Sequence, residues 1–360
     1  MTYAQGGLIQ ASDYNALVGT DQGTSSVANQ LNTVWGVGQG AFGYGQTPVT
    51  NVTATSVVTA TQWASLVNTL NNVIRHQSGS ATNLTANTAG QRIDYLSTLS
   101  SQISTAYSNA LNLGVSGTTV TGSAVVTNWS ASIGNPGGNP PNSYTNQTAS
   151  TNTFGLTAKF GSPDKARYFF NAGGRLKYNI SAAQNSSTSA RTNEIISLLG
   201  FLGGVTTFAA NTNGGRTGTG GTVNGSIDTA KGYWSVNTTF PSSWITLVNI
   251  TSTVLNYTGD NAYIQYRTGG YSRNYPSDAT NNPPVVGFYD NGNLVSFMTT
   301  ITSNSGTDGS GGAYPTHYGF DDSFNVNVTQ SIDVTYPETT NLSNTWGAVV
   351  ITNSVNAPWN

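Results

Sequence analysis

The sequence predicts an α+β protein: an N-terminal helical docking region followed by an antiparallel β-sandwich of jelly-roll-like type. Three observations lead there. Apolar residues recur at helical spacing through the first third of the chain. From about Val115 they alternate in short runs divided by Gly, Asn, Pro and Ser. Charged residues are only 7% of the 360, against about a quarter in an ordinary soluble domain. The surface is therefore predicted to be coated with hydroxyls and amides, and a net charge of -2 does little to keep copies apart. Residues 1–114 form the helical assembly region and 115–360 the β-rich region, with a boundary between two β units near 204–232.

Composition excludes several classes. A 36% apolar and 10% aromatic content supports packed cores and argues against disorder. The charge balance gives no general attraction to nucleic acid. No apolar run approaches the ~18 residues of a membrane helix, so membrane insertion is not expected. The absence of cysteine removes disulfides, thiolate nucleophiles and zinc–cysteine sites together. Asn-x-Ser/Thr triplets at Asn51, Asn83, Asn249 and Asn327 are what so Asn- and Thr-rich a composition makes by chance.

The first strong helix places Trp63, Leu66, Val67, Leu70, Val73 and Ile74 on one face, with Thr61 as N-cap and Ser78-Gly79 as the stop. His76, after Arg75, would set a cationic ring against the helix C-terminus. A second stripe runs through Ile93, Leu96, Leu99, Ile103, Tyr107 and Ala110. It suits core packing within one chain, the preferred reading, or a short bundle between subunits. The segment Ile9–Val18 echoes Val58–Val67: a capping hydroxyl (Ser12, Thr61), an aromatic (Tyr14, Trp63) and a Leu-Val pair recur in step. Between them, Trp35 to Gln46 carries Gly at every second or third position. It lacks the Lys-Ser/Thr of a phosphate loop, and reads as an aromatic-glycine loop packed closely on a helix or a partner chain. Tyr14, Trp35, Phe42, Tyr44, Trp63, Leu66 and Leu70 are the expected assembly contacts.

Strands are predicted at 120–126, 154–160, 178–180, 244–255, 263–266, 285–289, 294–301, 324–336 and 348–352, with an irregularity near Gln330. Asp290-Asn291-Gly292-Asn293 is the strongest hairpin turn. One helix interrupts, through Glu194, Ile195, Ile196, Leu198, Leu199 and Leu202, ended by Gly203-Gly204. Five of the twelve basic residues, Lys159, Lys165, Arg167, Arg175 and Lys177, bracket Tyr168 to Gly174. Such a cluster can bind nucleic acid or anionic sugars. The preferred reading is a surface hairpin with Lys and Arg outward and Tyr168, Phe170 and Leu176 inward, its structural residues being Arg167, Tyr168, Phe170, Gly173 and Gly174.

Nothing in the sequence compels catalysis. His317 has no Gly-x-Ser-x-Gly elbow beside it. Asp321-Asp322, with Asp308, lacks calcium-loop spacing and reads as turn chemistry. No catalytic, cofactor or metal residues are expected.

Four stretches carry a resemblance: Trp35 to Gln46, ending Gly-Tyr-Gly-Gln; Val58 to Trp63; His76-Gln77-Ser78-Gly79; and Ala166-Arg167-Tyr168-Phe169-Phe170-Asn171-Ala172-Gly173-Gly174. With these the chain resembles a family of virion structural proteins of tailed phages, especially those infecting marine cyanobacteria. The resemblance implies an oligomeric, trimeric tail, neck or fibre-like appendage component, not an enzyme, docked to the particle through its N-terminal part with the β region outward. Its partners would be other virion proteins, its own copies and host surface glycans. Capsid decoration is an alternative. So is a lectin-like or polysaccharide-cleaving host-recognition module, with Trp234, Trp244, Tyr271 and Tyr275 stacking on sugars. The start Met1-Thr2-Tyr3 lacks the features of a secretory signal, which suits assembly in the host cytoplasm and release by lysis.

Overall fold

The computed structural model describes residues 9–19, 30–91, 96–131, 150–186, 189–202, 205–211, 223–227, 232–235, 244–252, 260–269, 292–303 and 324–353. The helical third comprises α1 (Ala11–Val18), α2 (Leu31–Trp35), α3 (Ala60–Ser78) and α4 (Leu96–Ser108). Helix α3 buries Trp63, Leu66, Val67, Leu70 and Val73, the stripe its 3.6-residue period dictates. Its N-cap is Thr59 rather than Thr61. The Thr59 side chain accepts from the Gln62 amide, and Gln62 reaches back to the Thr59 amide, a reciprocal capping box. Gly79 ends the helix in the left-handed region at φ 78°.

The internal echo is real in phase, because α1 and α3 both begin at the alanine of the repeat, Ala11 and Ala60. Its capping explanation fails: Ser12 and Thr61 lie inside their helices, and Gln10, the N-cap of α1, makes no side-chain cap. The two copies touch, with the Tyr14 hydroxyl donating to the Gln62 carbonyl at 3.2 Å. Two asparagines then grip the extended segment between them as a paired strand would. Asn15 exchanges two hydrogen bonds with the Val52 backbone and Asn32 two with that of Val49.

The remainder forms two antiparallel sheets, so the chain is α+β. The elements are β1 (Thr119–Val120), β2 (Val125–Ala131), β3 (Ser150–Lys159), α5 (Pro163–Asn171), β4 (Arg175–Gln184), α6 (Ala190–Leu202), β5 (Val205–Phe208) and β6 (Val223–Ile227). They continue with β7 (Ile245–Ser252), β8 (Asn261–Gly269), β9 (Leu294–Ser303), β10 (Phe324–Thr335) and β11 (Val350–Asn353). One sheet has β1 and β2 along the same edge of β10, then β4 and β5; the other is ordered β11-β3-β9-β8-β7-β6. Strand β2 runs against β10 while β3 runs against β9. The chain and its return thus pair in one sheet and then again in the other.

Inward side chains of the two sheets meet. Tyr178 of β4 stacks on Phe297 of β9 with centroids 5.2 Å apart, and its hydroxyl lies 2.9 Å from Thr299. Trp129 of β2 meets Phe154 of β3 edge-on. The irregularity expected near Gln330 does not exist. Strand β10 alternates without a break, and Gln330 takes an inward place, fully buried, accepting from the Tyr178 hydroxyl at 2.9 Å. A polar residue in an apolar row looked like a bulge because its hydrogen-bond partner lies on another strand. The predicted strand 285–289 and the turn Asp290–Asn293, apart from Gly292 and Asn293, lie outside the described residues, as do Gly203-Gly204 and Ile93.

Candidate functional site

Three of the four stretches that carry the resemblance meet inside the molecule, whereas Val58 to Trp63 lies at the other end of α3 from His76. The loop from Trp35 to Gln46 folds back on α2, with the Tyr44, Gly45 and Gln46 amides donating to the carbonyls of Val34, Gly36 and Trp35. The carbonyls of Val37, Gly40, Phe42 and Gly43 face α5. There Arg167 Nη1 donates to Val37 O at 2.6 Å and Phe42 O at 2.8 Å, and Asn171 Nδ2 reaches Gly40 O at 2.9 Å and Phe42 O at 3.0 Å. One short helix thus satisfies the acceptors that a glycine-rich turn leaves unpaired. Gly45, at φ 69°, lies flat on Tyr168: a Cβ there would sit 2.3 Å from the ring.

This arrangement corrects the surface hairpin. Residues Pro163–Asn171 are a helix, capped by Ser162 accepting from the Lys165 amide at 3.1 Å, with Pro at the first position and Asp164 in the first turn. Arg167 is fully buried, against the outward place expected of it, while Tyr168, Phe170 and Leu176 point inward as expected. Gly173, at φ 84°, turns the chain into β4 beneath Leu113, and Gly174 packs on Phe169. The basic cluster is dispersed as a result. Lys159 ends β3 in one sheet, Arg175 and Lys177 lie on β4 in the other, and Arg167 points inward.

The expected assembly contacts are likewise internal. Tyr14, Tyr44, Trp63, Leu66 and Leu70 are buried in the chain's own core, with Trp35 and Phe42 half-buried against it. The helix stripes are spent on folding this chain, so they are not a docking surface. Phe42 stacks on Tyr107 at 4.4 Å, and the Tyr44 hydroxyl donates to Ala110 O at 2.9 Å while accepting from Gln77. Burial pushes the Tyr44 phenol well above its ordinary range.

The end of α3 holds a buried histidine–carboxylate pair in this hub. His76 Nδ1 lies 3.0 Å from Glu338 Oε1, with side chains 0% and 3% exposed. Glu338 Oε2 accepts the Thr340 and Asn341 amides at 2.6 and 2.9 Å, and Oε1 also accepts Asn341 Nδ2. Burial alone would raise the Glu338 carboxyl. The His76 and Asn341 hydrogen bonds, with the charge of His76, outweigh burial and hold it down at about 2. A carboxylate on a histidine Nδ1 is two-thirds of a hydrolytic triad, and the opposite nitrogen is where a nucleophile would sit. Nε2 has no hydrogen-bond partner there and is sealed from solvent. The pair fastens two segments together; it has no access to a substrate. His76 thus lies in the last turn of α3, as expected, with its ring buried against Glu338.

Beyond β10, residues 336–349 form a strap across the hub. Gln46 exchanges two hydrogen bonds with the Ser343 backbone at 2.8 and 2.9 Å, and the Thr345 hydroxyl donates to Tyr44 O at 2.9 Å. The strap's own Leu342 and Trp346 are buried. Neither the strap nor Glu338 was legible as a site, since their partners lie in the first eighty residues.

A second buried polar cluster lies under α6. Arg191 pairs with Asp260 at 3.1 Å and donates to Ser303, and the Ser252 hydroxyl donates to Glu194. Burial raises the Glu194 carboxyl above the ordinary range, with Ser252 and Arg191 opposing it. The cluster ties α6 to β7, β9 and the start of β8.

Of the aromatic residues considered for sugar stacking, Trp234 is half-buried and donates to Asn171 Oδ1 at 3.0 Å, and Trp244 lies under the Arg267 guanidinium at 4.8 Å. Tyr271, Tyr275, Asp308, His317, Asp321 and Asp322 lie outside the described residues. Among the described residues, no three His, Asp or Glu side chains gather as metal ligands would, and no helix is long and apolar enough to cross a membrane. No protein-family model matches the chain, and neither the curated proteins nor the solved structures compared with it give a significant match.

Proposed function

We propose that this chain is a structural component of a tailed-phage virion, an oligomeric tail, neck or fibre-like appendage protein without catalytic activity. The observation that carries the reading is the meeting of three of the four family-like stretches, the loop 35–46, the end of α3 and α5. They form an internal framework of loop and helices, which is what a shared architecture without a shared active site requires. The sparse charge of the exterior, 7% over the whole chain, adds support, because uncharged amide-rich surfaces pack against neighbours at little electrostatic cost. The paired passage of β2–β3 against β10–β9 favours a jelly-roll-like wrap of the two sheets. Since the helix stripes are internal, docking to the particle would use the outward faces of the helical third. Immunogold labelling of particles with antibody to this chain tests the reading. Label at a fixed place on tail, neck or fibre supports it. Absence from purified particles overturns it, and label over the capsid surface selects decoration instead. Light scattering after size-exclusion chromatography tests the trimer, which a strict monomer at high concentration excludes.

A second reading, recognition of host glycans, has its own support. Asn128, Asn325 and Asn327 form a hydrogen-bonded amide ladder on the outward face of β2 and β10. Fixed amides lose little freedom on meeting sugar hydroxyls. A glycan array reads this directly, and no binding on it removes the idea.

A further inference from the structure

We propose that β11 is a conditional strand, whose seat on the edge of β3 is controlled from the helical third through the 336–349 strap.

The argument starts from how little holds β11 by itself. It pairs only Val350–Asn353 with Lys159–Leu156 at one end of a ten-residue strand. Val350 is 54% exposed, Thr352 and Asn353 are exposed, and only Ile351 is half-buried. The net gain from a few ladder hydrogen bonds is of the same size as the freedom lost in ordering four backbone residues. These nearly cancel, so the strand does not seat without help.

The help is tethering, which replaces an association with a local one at high effective concentration. The strap immediately before β11 is the opposite case. Glu338 is locked to His76, Gln46 reads the Ser343 backbone, Thr345 is bonded to Tyr44 O, and Trp346 is buried. All three polar partners, His76, Gln46 and Tyr44, belong to α3 or to the glycine loop. The last bond before the strand, the Val349 amide to the Tyr336 hydroxyl at 3.0 Å, returns to the strap's own start. Moving the end of α3 or the loop therefore loosens the strap, and β11 leaves with it.

Because the chain has no cysteine, a disulfide reporter is clean. Lys159 and Val350 are directly opposed, a separation a disulfide can span. Lys159→Cys with Val350→Cys is oxidised in the full chain under native conditions, alone and combined with Glu338→Gln, with Gln46→Ala, or with the remote control Asn15→Ala. The expected result is a several-fold lower rate of intramolecular disulfide formation with Glu338→Gln and Gln46→Ala, and no change with Asn15→Ala. Hydrogen exchange at 350–353 should rise in the same two variants while exchange in β8 does not. Equal disulfide rates in all variants, or a loss that Asn15→Ala reproduces, overturns the proposal. Should Glu338→Gln fail to fold, as seen by circular dichroism, Gln46→Ala decides alone.

Discussion

Glu338 and His76 stand 262 positions apart in the chain and 3.0 Å apart in the fold, and their contact fastens the segment after the last long strand to the end of α3. The carboxyl is held at about 2, below its ordinary value. In the unfolded chain it returns to roughly 4.3. The unfolded state therefore binds more protons between these values, and folding stability falls as pH drops through that window. The contribution is present above about pH 5 and is lost as pH falls toward about 2. Urea unfolding between pH 6 and pH 2 should show this loss. Glu338→Gln should be less stable at pH 6 and have a flatter profile below pH 5. Parallel profiles for the two proteins would refute the assignment.

The loop-to-helix junction makes a separate claim. Arg167 is buried and its guanidinium serves two loop carbonyls and, at 3.4 Å, Asp164. Lysine has the charge without the planar fork, so Arg167→Lys should cost about 2–4 kcal/mol, in the range for breaking a buried hydrogen-bonded charge. Gly45→Ala attacks the same junction from the other side, through the Tyr168 ring and a positive φ. Chemical denaturation should find the double variant less destabilised than the sum of the two singles, because both release one contact. Strict additivity would mean that loop and helix are not coupled.

How much of this was legible follows from the range of each signal. Helix α3 was readable because period and stop are local, and β10 because alternation is local. Helix α5 was misread because Arg167, Tyr168, Phe169 and Phe170 are all buried. Of its polar side chains only Asp164 and Lys165, in the first turn, reach solvent, and from Ala166 to Asn171 no exposed polar position recurs to reveal the period. Ser162-Pro163-Asp164, a standard helix start, was the signal that was available. The His76–Glu338 contact and the Gln46 grip on Ser343 had no local signal at all. They are long-range pairings of common polar residues, visible only once the topology brings the strap back across the hub.

Glu194 carries the opposite pH sign to Glu338. Its carboxyl is raised by burial, with Ser252 and Arg191 opposing the shift. Above the unfolded pKa the unfolded chain ionises more readily than the folded one, so stability contributed here is lost as pH rises. Glu194→Gln removes the ionisation and retains an oxygen to accept the Ser252 hydroxyl. It should raise Tm by about 1–2 °C at pH 7 and leave it unchanged near pH 4. A lower Tm at pH 7 would show that the attraction to Arg191 outweighs the burial cost.

The start of α3 offers the sharpest test of local structure against sequence pattern. Repeat alignment with α1 makes Thr61 the capping hydroxyl, whereas the geometry assigns the role to Thr59, with Gln62 completing the box. Loss of an N-cap hydroxyl costs about 1 kcal/mol, and threonine to alanine inside an exposed first turn gains a few tenths through helix propensity. Thr59→Ala should therefore destabilise and Thr61→Ala should be neutral or slightly stabilising. Gln62→Ala should lose part of what Thr59→Ala loses, since it removes the reciprocal bond alone. Thermal unfolding of the three variants orders them. A Thr61→Ala variant weaker than Thr59→Ala would return the cap to the repeat position and shift the helix start by two residues.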